Sequence, residues 1–333
     1  MILVVLIVGL AAYLLVPQFA VLESSWDVVQ AMTWWAVALA AIAQICSYLG
    51  GGFILHSILK TNHEKLAAWK GALIAVATFS ISLVAGGGIG LAATYGWVHK
   101  ETRKGDTAVL AGMLPGFLNT VTLVLVAMIG TLYLLFIHDL RRRQLFEFAV
   151  ILLFLSLMAV VIFFALHSRE RVTRIAVWLT CHWARLRHRP YQAETTVFTV
   201  QQFFEAVGAL NHGRWLLPML GSVANIGFDM LTLYFMFVAA GQNVPVGFLF
   251  AGYGLPILLG RAAFIFPGGI GVVEGSMVAL YDSLQIPDGI SVVVILGYRF
   301  LSFWMPALVG FLAATYLSGG LFNGKKDADG MRS

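Results

Sequence analysis

Four ionisable side chains of this 333-residue sequence stand inside long apolar stretches. They are Asp229, Arg261, Glu274 and Arg299. If the stretches cross a membrane, each charge costs about 2.5–3.5 kcal/mol to insert, which makes it a candidate functional group. Arginine suits phosphate-type anions, because its planar fork of N–H groups can hold two oxygens at once. Two acids and two bases can also neutralise each other, so a structural network of ion pairs is the open alternative.

Two glycine-rich segments, 86–90 and 267–271, occur midway along apolar stretches. Glycine permits a tight turn, and a helix that begins after such a turn points its first N–H groups towards it and attracts anions. Close helix packing uses glycine equally well, so the paired turns indicate an anion site only together with the arginines. The candidate glycines are Gly87, Gly88 and Gly90 in the first turn and Gly268, Gly269 and Gly271 in the second.

The composition predicts an all-α polytopic membrane protein. Apolar residues make up 60% of the chain and charged residues only 11%, against about 25% charged residues in an ordinary globular domain. So few charges cannot cover a soluble surface, which argues against a soluble enzyme, a nucleic-acid-binding domain and a disordered scaffold. The formal net charge of +5 belongs in cytoplasmic loops, so we expect no nucleic acid as partner.

Eight apolar runs are long enough for membrane segments. They lie at 2–17, 33–58, 71–98, 107–137, 147–167, 215–240, 245–283 and 289–318. The runs 71–98 and 245–283 contain the glycine turns, and the flanking polar residues place both ends of each run on one side. This predicts two re-entrant hairpins of half-helices and about six full spans, with a single long kinked span as the alternative for each hairpin.

The glycine turns align at an offset of 181 residues, and the same offset maps the flanking spans onto each other. The pattern predicts inverted-topology repeats at 33–137 and 214–318 within one membrane domain, 1–333, with 138–213 as the connection and 319–333 as a tail. Chance similarity of glycine-rich apolar segments is the alternative. Transporters with such repeats bind substrate where their interrupted helices meet.

The basic loops indicate the orientation. Residues 168–190 hold six arginines and the tail holds Lys325 and Lys326, which predicts that both are cytoplasmic. Residues 2–17 then form a first membrane helix rather than a cleaved signal, and both termini lie in the cytoplasm. Residues 192–213 predict an amphipathic helix on the membrane surface. The three arginines at 141–143 fall on the non-cytoplasmic side in this topology. Either the tendency of basic loops to be cytoplasmic fails there, or a neighbouring run is not a simple span.

No cofactor site or catalytic constellation is visible. The two cysteines, Cys46 and Cys181, occur in an apolar segment and a basic loop, and indicate neither a disulfide framework nor a metal site. The chain contains no nucleophile elbow, Walker loop, paired-cysteine motif or HExxH. We therefore expect no metal, no cofactor and no enzymatic activity.

Three segments, 267–274, 297–300 and 304–310, resemble the lysylphosphatidylglycerol synthase transmembrane region family. Its members are also called flippase-like or UPF0104 membrane proteins, and Asp229 fits the pattern too. The resemblance is good over 210–318 and looser over 33–137. In the first glycine turn the family would place a proline and a nearby arginine, where this chain has Ala85 and Thr94 or Tyr95.

The resemblance implies a protein of the bacterial inner membrane that moves or handles lipids, often aminoacylated, isoprenoid-linked or hopanoid lipids. The synthases carry a soluble catalytic domain after this region, whereas this chain ends at Ser333, so we expect no lipid aminoacylation by this chain alone. The first hypothesis is a flippase-like transporter of anionic or isoprenoid-linked membrane lipids. The second is a non-transporting partner of a lipid- or glycan-modifying membrane enzyme, and a homo-oligomer fits either. A transferase acting within the membrane is the third.

Overall fold

The computed structural model describes residues 26–61, 64–137, 168–186, 215–263 and 267–329, and isolated positions within 153–160 and 194–205. The described residues form helices and turns and contain no strand. The α-helices are Trp26–Ala31 (α1), Trp34–Thr61 (α2), Ala68–Ala85 (α3), Gly87–Thr102 (α4), Gly105–Ile137 (α5), Arg169–Leu186 (α6), Leu216–Ala239 (α7), Val246–Ala262 (α8), Val272–Ser283 (α9), Asp288–Arg299 (α10) and Met305–Asp329 (α11).

Five helical segments of the described residues are long and apolar enough to cross a membrane. They are Trp34–Thr61, Ala68–Ala85, Thr107–Phe136, Leu216–Ala239 and Gly289–Ser318. The predicted all-α polytopic membrane protein is therefore confirmed. The predicted run 2–17, most of the predicted run 147–167 and the arginine triplet 141–143 lie outside the described residues.

The first glycine turn joins two antiparallel helices. The chain reverses at Gly86, which has φ 91° and ψ 156°, and α4 returns along α3. A hydrogen bond between the Thr78 and Thr94 hydroxyls and an ion pair between Lys70 and Glu101 join the two helices. Helix α3 has 18 residues and can cross a membrane by length and composition. It is therefore longer than the predicted half-helix, because it begins at Ala68 and stays regular up to the glycine.

The second glycine turn joins α8 to the shorter helix α9. Helix α8 has 17 residues and α9 has 12, and a 3₁₀ turn, Pro267–Gly269, lies between them. A β-carbon at Gly252 would stand 2.3 Å from the Tyr281 ring, and one at Gly260 would stand 2.3 Å from Cγ2 of Val273. These contacts show two helices that run in opposite directions and pack closely on small residues.

Helices α2 and α7 pack antiparallel over their whole length. The Thr33 N–H donates to the carbonyl oxygen of Ala239 at 2.9 Å, and the Ser47 hydroxyl donates to the carbonyl oxygen of Asn225 at 2.8 Å. Residue numbers of the contacts therefore rise along α2 as they fall along α7. This is the relation that an inverted repeat requires of its first spans.

Each hairpin packs against the last span of the other predicted repeat. In α3, the Ser80 hydroxyl donates to the carbonyl oxygen of Ala307 in α11 at 2.8 Å. Helix α8 lies on α5, where a β-carbon at Gly130 would stand 2.2 Å from the backbone nitrogen of Ala251. The division into repeats stays a prediction, and this exchange of partners supports it.

The basic segment 168–190 is mostly helical rather than a loop. Helix α6 places apolar side chains at helical spacing opposite its arginines, and Ile175 and Trp178 are 57% and 64% exposed. The loop was predicted from the charges alone. The apolar residues that lie between the arginines at helical spacing were not taken into account. Most of the helix predicted at 192–213 lies outside the described residues.

Candidate functional site

Both glycine turns open onto one cavity of about 710 Å³. We call it the turn cavity. Its walls come from α3, α7, α8, the two turns and the segment around residue 300. Of the sequence-predicted site residues, it is lined by Gly87, Asp229, Arg261, Gly268, Gly269 and Arg299. Two hairpins far apart in sequence thus contribute to one site beside three of the four intramembrane charges.

Arg299 and Glu274 form a buried ion pair at the wall of the turn cavity. The Arg299 Nε donates to Glu274 Oε1 at 2.6 Å, and the residues are 5% and 7% exposed. The Arg299 Nη2 also donates to the carbonyl oxygen of Gly268 at 3.3 Å, and its guanidinium lies 4.3 Å from the centroid of the Phe303 ring. The arginine is therefore held in one orientation by a carboxylate, a turn carbonyl and an aromatic face.

Glu274 connects this pair to the second turn. Its Oε2 accepts a hydrogen bond from the N–H of Gly271 at 2.7 Å, in the capping arrangement at the start of α9. Glu274 and Gly271 are not among the residues that line the turn cavity. Their geometry is that of a support for Arg299, which corresponds to the ion-pair alternative for these two charges.

Arg261 differs from Arg299, because it pairs with no carboxylate of the described residues. Its Nη1 donates to the hydroxyl of Thr120 in α5 at 3.0 Å. It lies in the last turn of α8 and lines the turn cavity. Its guanidinium therefore faces the cavity without an ion-pair partner among the described residues.

Asp229 is held by two tyrosines rather than by an arginine. The hydroxyls of Tyr253 and Tyr298 donate to its Oδ2 at 2.7 Å and 3.0 Å, and both tyrosines are almost fully buried. Its Oδ1 is buried without a hydrogen-bond partner among the described residues. Hydrogen bonds and ion pairs thus do not join the four charges into one network.

A second cavity, of about 420 Å³, adjoins the turn cavity. Asp229, Phe79 and Ser302 line both of them. The remaining polar groups of the second cavity are uncharged hydroxyls and amides, among them Asn119 and Asn225. Asp229 is therefore the one ionisable residue common to the two cavities among the residues that the structure describes.

The glycines of the two turns serve different purposes. A β-carbon at Gly87 or Gly88 would meet nothing within 4 Å, so packing does not require glycine there. Gly268 and Gly269 have φ of 65° and 68°, and a β-carbon at either would also collide with its neighbours. Gly271 has φ 82°. Glycine at these three positions is therefore a requirement of the backbone.

Two predicted glycines of the first turn do not line the turn cavity. Gly88 and Gly90 are not among the residues that line it. A β-carbon at Gly90 would stand 1.8 Å from the Ser82 hydroxyl oxygen. Gly90 therefore permits the close approach of α3 and α4.

A π-helical segment, Phe300–Trp304, follows Arg299 directly. Pro306 has no N–H to donate to the carbonyl four residues earlier, which favours a wider turn at this place. The Tyr48 hydroxyl, from α2, donates to the carbonyl oxygen of Leu301 in this segment at 2.6 Å. Such interruptions are frequent at functional sites.

Sequence reasoning missed the neutral partners of the charges. They are Thr120, Tyr253, Tyr298 and Phe303. A buried tyrosine needs a partner for its hydroxyl, so Tyr253 and Tyr298 in apolar runs carried a signal, but it did not identify Asp229 as that partner. The described residues contain no group of three histidine, cysteine or acidic side chains placed to hold a metal ion.

The fold and the site define a polytopic all-α membrane protein with a cavity, lined by charged residues, where two hairpins meet. Residues 1–310 match the family described as the lysylphosphatidylglycerol synthase TM region. The chain therefore belongs to this family and is an integral membrane protein, which confirms the resemblance found in the sequence.

Curated relatives are UPF0104 membrane proteins of archaea. One from Methanocaldococcus jannaschii is 24% identical over 164 residues, which is 47% of each chain. One from Pyrococcus horikoshii is 33% identical over 99 residues, which covers 28% of this chain and 27% of the relative. The chain thus spans between about a quarter and a half of the length of these relatives. Their names place them in a membrane and state no reaction.

Proposed function

We propose that this protein is a lipid transporter of the flippase-like type, which binds an anionic lipid headgroup in the turn cavity. The single observation that carries the proposal is Arg261, a cation that faces the cavity without a carboxylate partner among the described residues. An intramembrane charge of this kind is costly unless a ligand or a function compensates for it.

The first turn supports an anionic ligand. Helix α4 begins at Gly87, beside the cavity. A helix N-terminus carries about half a positive charge on its unpaired N–H groups, and here it adds to the charge of Arg261. Glycine at Gly87 and Gly88 leaves this approach open, because no side chain covers it.

The arrangement of the hairpins supports transport. Each hairpin contacts the last span of the other predicted repeat, so a rocking motion of one repeat against the other would change access to the cavity between them. In this proposal the repeats are 33–137 and 214–318, and the protein resides in a bacterial inner membrane with both termini in the cytoplasm.

Arg261→Gln should reduce binding of anionic lipid in the turn cavity about tenfold, since a hydrogen bond to a charged group contributes about 1.5–3 kcal/mol. The protein is purified in mild detergent, and phosphatidylglycerol and phosphatidylcholine retained with it are compared by native mass spectrometry. Transbilayer movement of fluorescent phosphatidylglycerol in proteoliposomes should fall in parallel.

Arg171→Gln is the matched control, because it removes an exposed arginine of α6 by the same substitution. It should retain both lipid binding and transport. Equal retention of phosphatidylglycerol by wild type and a folded Arg261→Gln protein would remove Arg261 from a headgroup site and overturn the proposal.

A second candidate function, a non-transporting partner of a membrane enzyme, is favoured by the exposed face of α6. Replacing Arg169, Arg171 and Arg174 by glutamine should then abolish assembly with the enzyme, measured by co-purification from the native membrane. Lipid binding in the turn cavity would be unchanged. Under the transporter proposal the same variant still moves lipid at the wild-type rate.

A further inference from the structure

A third cavity lies at the opposite end of the first hairpin from its glycine turn. Its volume is about 270 Å³, and we call it the lysine pocket. It is formed where α3 begins, α4 ends and α11 passes, and its principal lining residues are Trp69, Lys70, Lys100, Glu101, Tyr316 and Leu317. Gly86 follows Lys70 by 16 positions along α3, about 24 Å at 1.5 Å per residue, so the pocket is distinct from the turn cavity.

The polar part of the lysine pocket has one positive charge in excess. The Lys70 Nζ lies 3.2 Å and 3.3 Å from the two carboxylate oxygens of Glu101. Lys100 is exposed and pairs with no carboxylate of the described residues. Two lysines against one glutamate leave a net charge that a single phosphodiester would balance.

The rest of the pocket is apolar and aromatic. The Trp97 ring is only 4% exposed, whereas Trp69 and Tyr316 are 53% and 72% exposed. Leu73 and Leu317 continue the wall along the hairpin and α11. Tryptophan and tyrosine are enriched at the level of lipid headgroups, because they combine an apolar ring with a polar group.

We propose that the lysine pocket binds an anionic phospholipid of the surrounding leaflet, which stays in place and stabilises the fold. The phosphate lies at Lys70 and Lys100, and an acyl chain follows Leu73 and Leu317. Basic pockets between membrane helices recognise anionic headgroups in this way. The lipid would contact both the first hairpin and α11, so its binding stabilises the packing of α3 against α11 by mass action.

The test uses the full chain in detergent with three probes: phosphatidylglycerol, phosphatidylcholine of the same acyl chains, and inorganic phosphate. Phosphatidylglycerol should raise the melting temperature and remain bound in native mass spectra. Lys70→Gln/Lys100→Gln should weaken the affinity for phosphatidylglycerol by about fivefold for each lysine removed, since a lysine near anionic lipid contributes about 1 kcal/mol. Lys60→Gln/Lys65→Gln, with the same change of charge at exposed positions beside the hairpin, should behave as wild type.

Lys100→Gln alone breaks no ion pair among the described residues and keeps the test valid if the double variant fails to fold. Equal stabilisation by phosphatidylcholine, or equal loss in the Lys60/Lys65 control, would overturn the proposal. The same shift with inorganic phosphate alone would make this a free-anion site and not a lipid site. The outcome is independent of the transporter proposal, because Arg261→Gln leaves the lysine pocket intact.

Discussion

Glu274→Ala should lower the free energy of unfolding by about 3–5 kcal/mol, because it leaves the buried Arg299 without its carboxylate. The two residues are 7% and 5% exposed, so bulk water compensates little for the lost partner. The substitution also removes the acceptor for the Gly271 N–H. The measurement is the unfolding transition of the purified protein in detergent, followed by tryptophan fluorescence. It is made for the wild type, for Glu274→Ala and for Arg299→Met.

The double variant Glu274→Ala/Arg299→Met is the control for this interpretation. Replacement of both members of a buried ion pair by apolar groups is often close to neutral, so the double variant should recover most of the stability that Glu274→Ala loses. Additive losses in the cycle would show that the two side chains contribute independently and contradict a coupled pair. A large coupling would also mean that any loss of lipid binding on replacement of Arg299 reflects a loss of structure.

The candidate site residues could be found from the sequence because their signals are local. A charge inside an apolar run and a cluster of glycines are visible without knowledge of the packing, which brought out Asp229, Arg261 and the two turns. Their placement around one cavity depends on the contacts between hairpins, and no local pattern contains those contacts. In the sequence, the predicted inverted repeat was the only indication that the turns would meet.

The pairing of the charges could not be predicted in the same way. Arg261 is closer to Glu274 in the sequence than Arg299 is, yet only Arg299 reaches Glu274, whereas Arg261 reaches Thr120 of α5. The choice depends on the direction in which each helix presents its side chain. Asp229 likewise accepts hydrogen bonds from two tyrosines. Tyrosine is too common in apolar helices for the sequence alone to show which tyrosines would bind Asp229.

The long apolar spans were predicted well, because hydropathy alone identifies them. The amphipathic helix α6 was predicted less well, because only the periodicity of its apolar residues identifies it. The four predicted spans of the described region coincide with long apolar helices. Helix α6 was missed because its arginines were counted as loop charge, although Val172, Ile175 and Ala176 follow a helical stripe between them. The length of α3 was underestimated because its first turn contains Lys70, which reads as loop in a hydropathy profile.

Gly130→Ala should cost about 3 kcal/mol of stability, since the new methyl group would stand 2.2 Å from the backbone nitrogen of Ala251. Backbone atoms cannot move aside as a flexible side chain can, so α5 and α8 must separate, and overpacking of this kind costs about 1–3 kcal/mol. The displacement would carry Arg261 away from Thr120, so anionic lipid binding should weaken together with the melting temperature.

Gly116→Ala, in the same helix α5, is the matched substitution. A β-carbon at Gly116 meets nothing within 4 Å, and alanine favours a helix over glycine by about 1 kcal/mol, so this variant should melt at or slightly above the wild-type temperature. Melting of both variants at the same temperature would show that α5 and α8 do not depend on the close contact at Gly130. A lower melting temperature for Gly130→Ala alone would establish that contact as the one that holds the second hairpin, and with it Arg261, against the last span of the first predicted repeat.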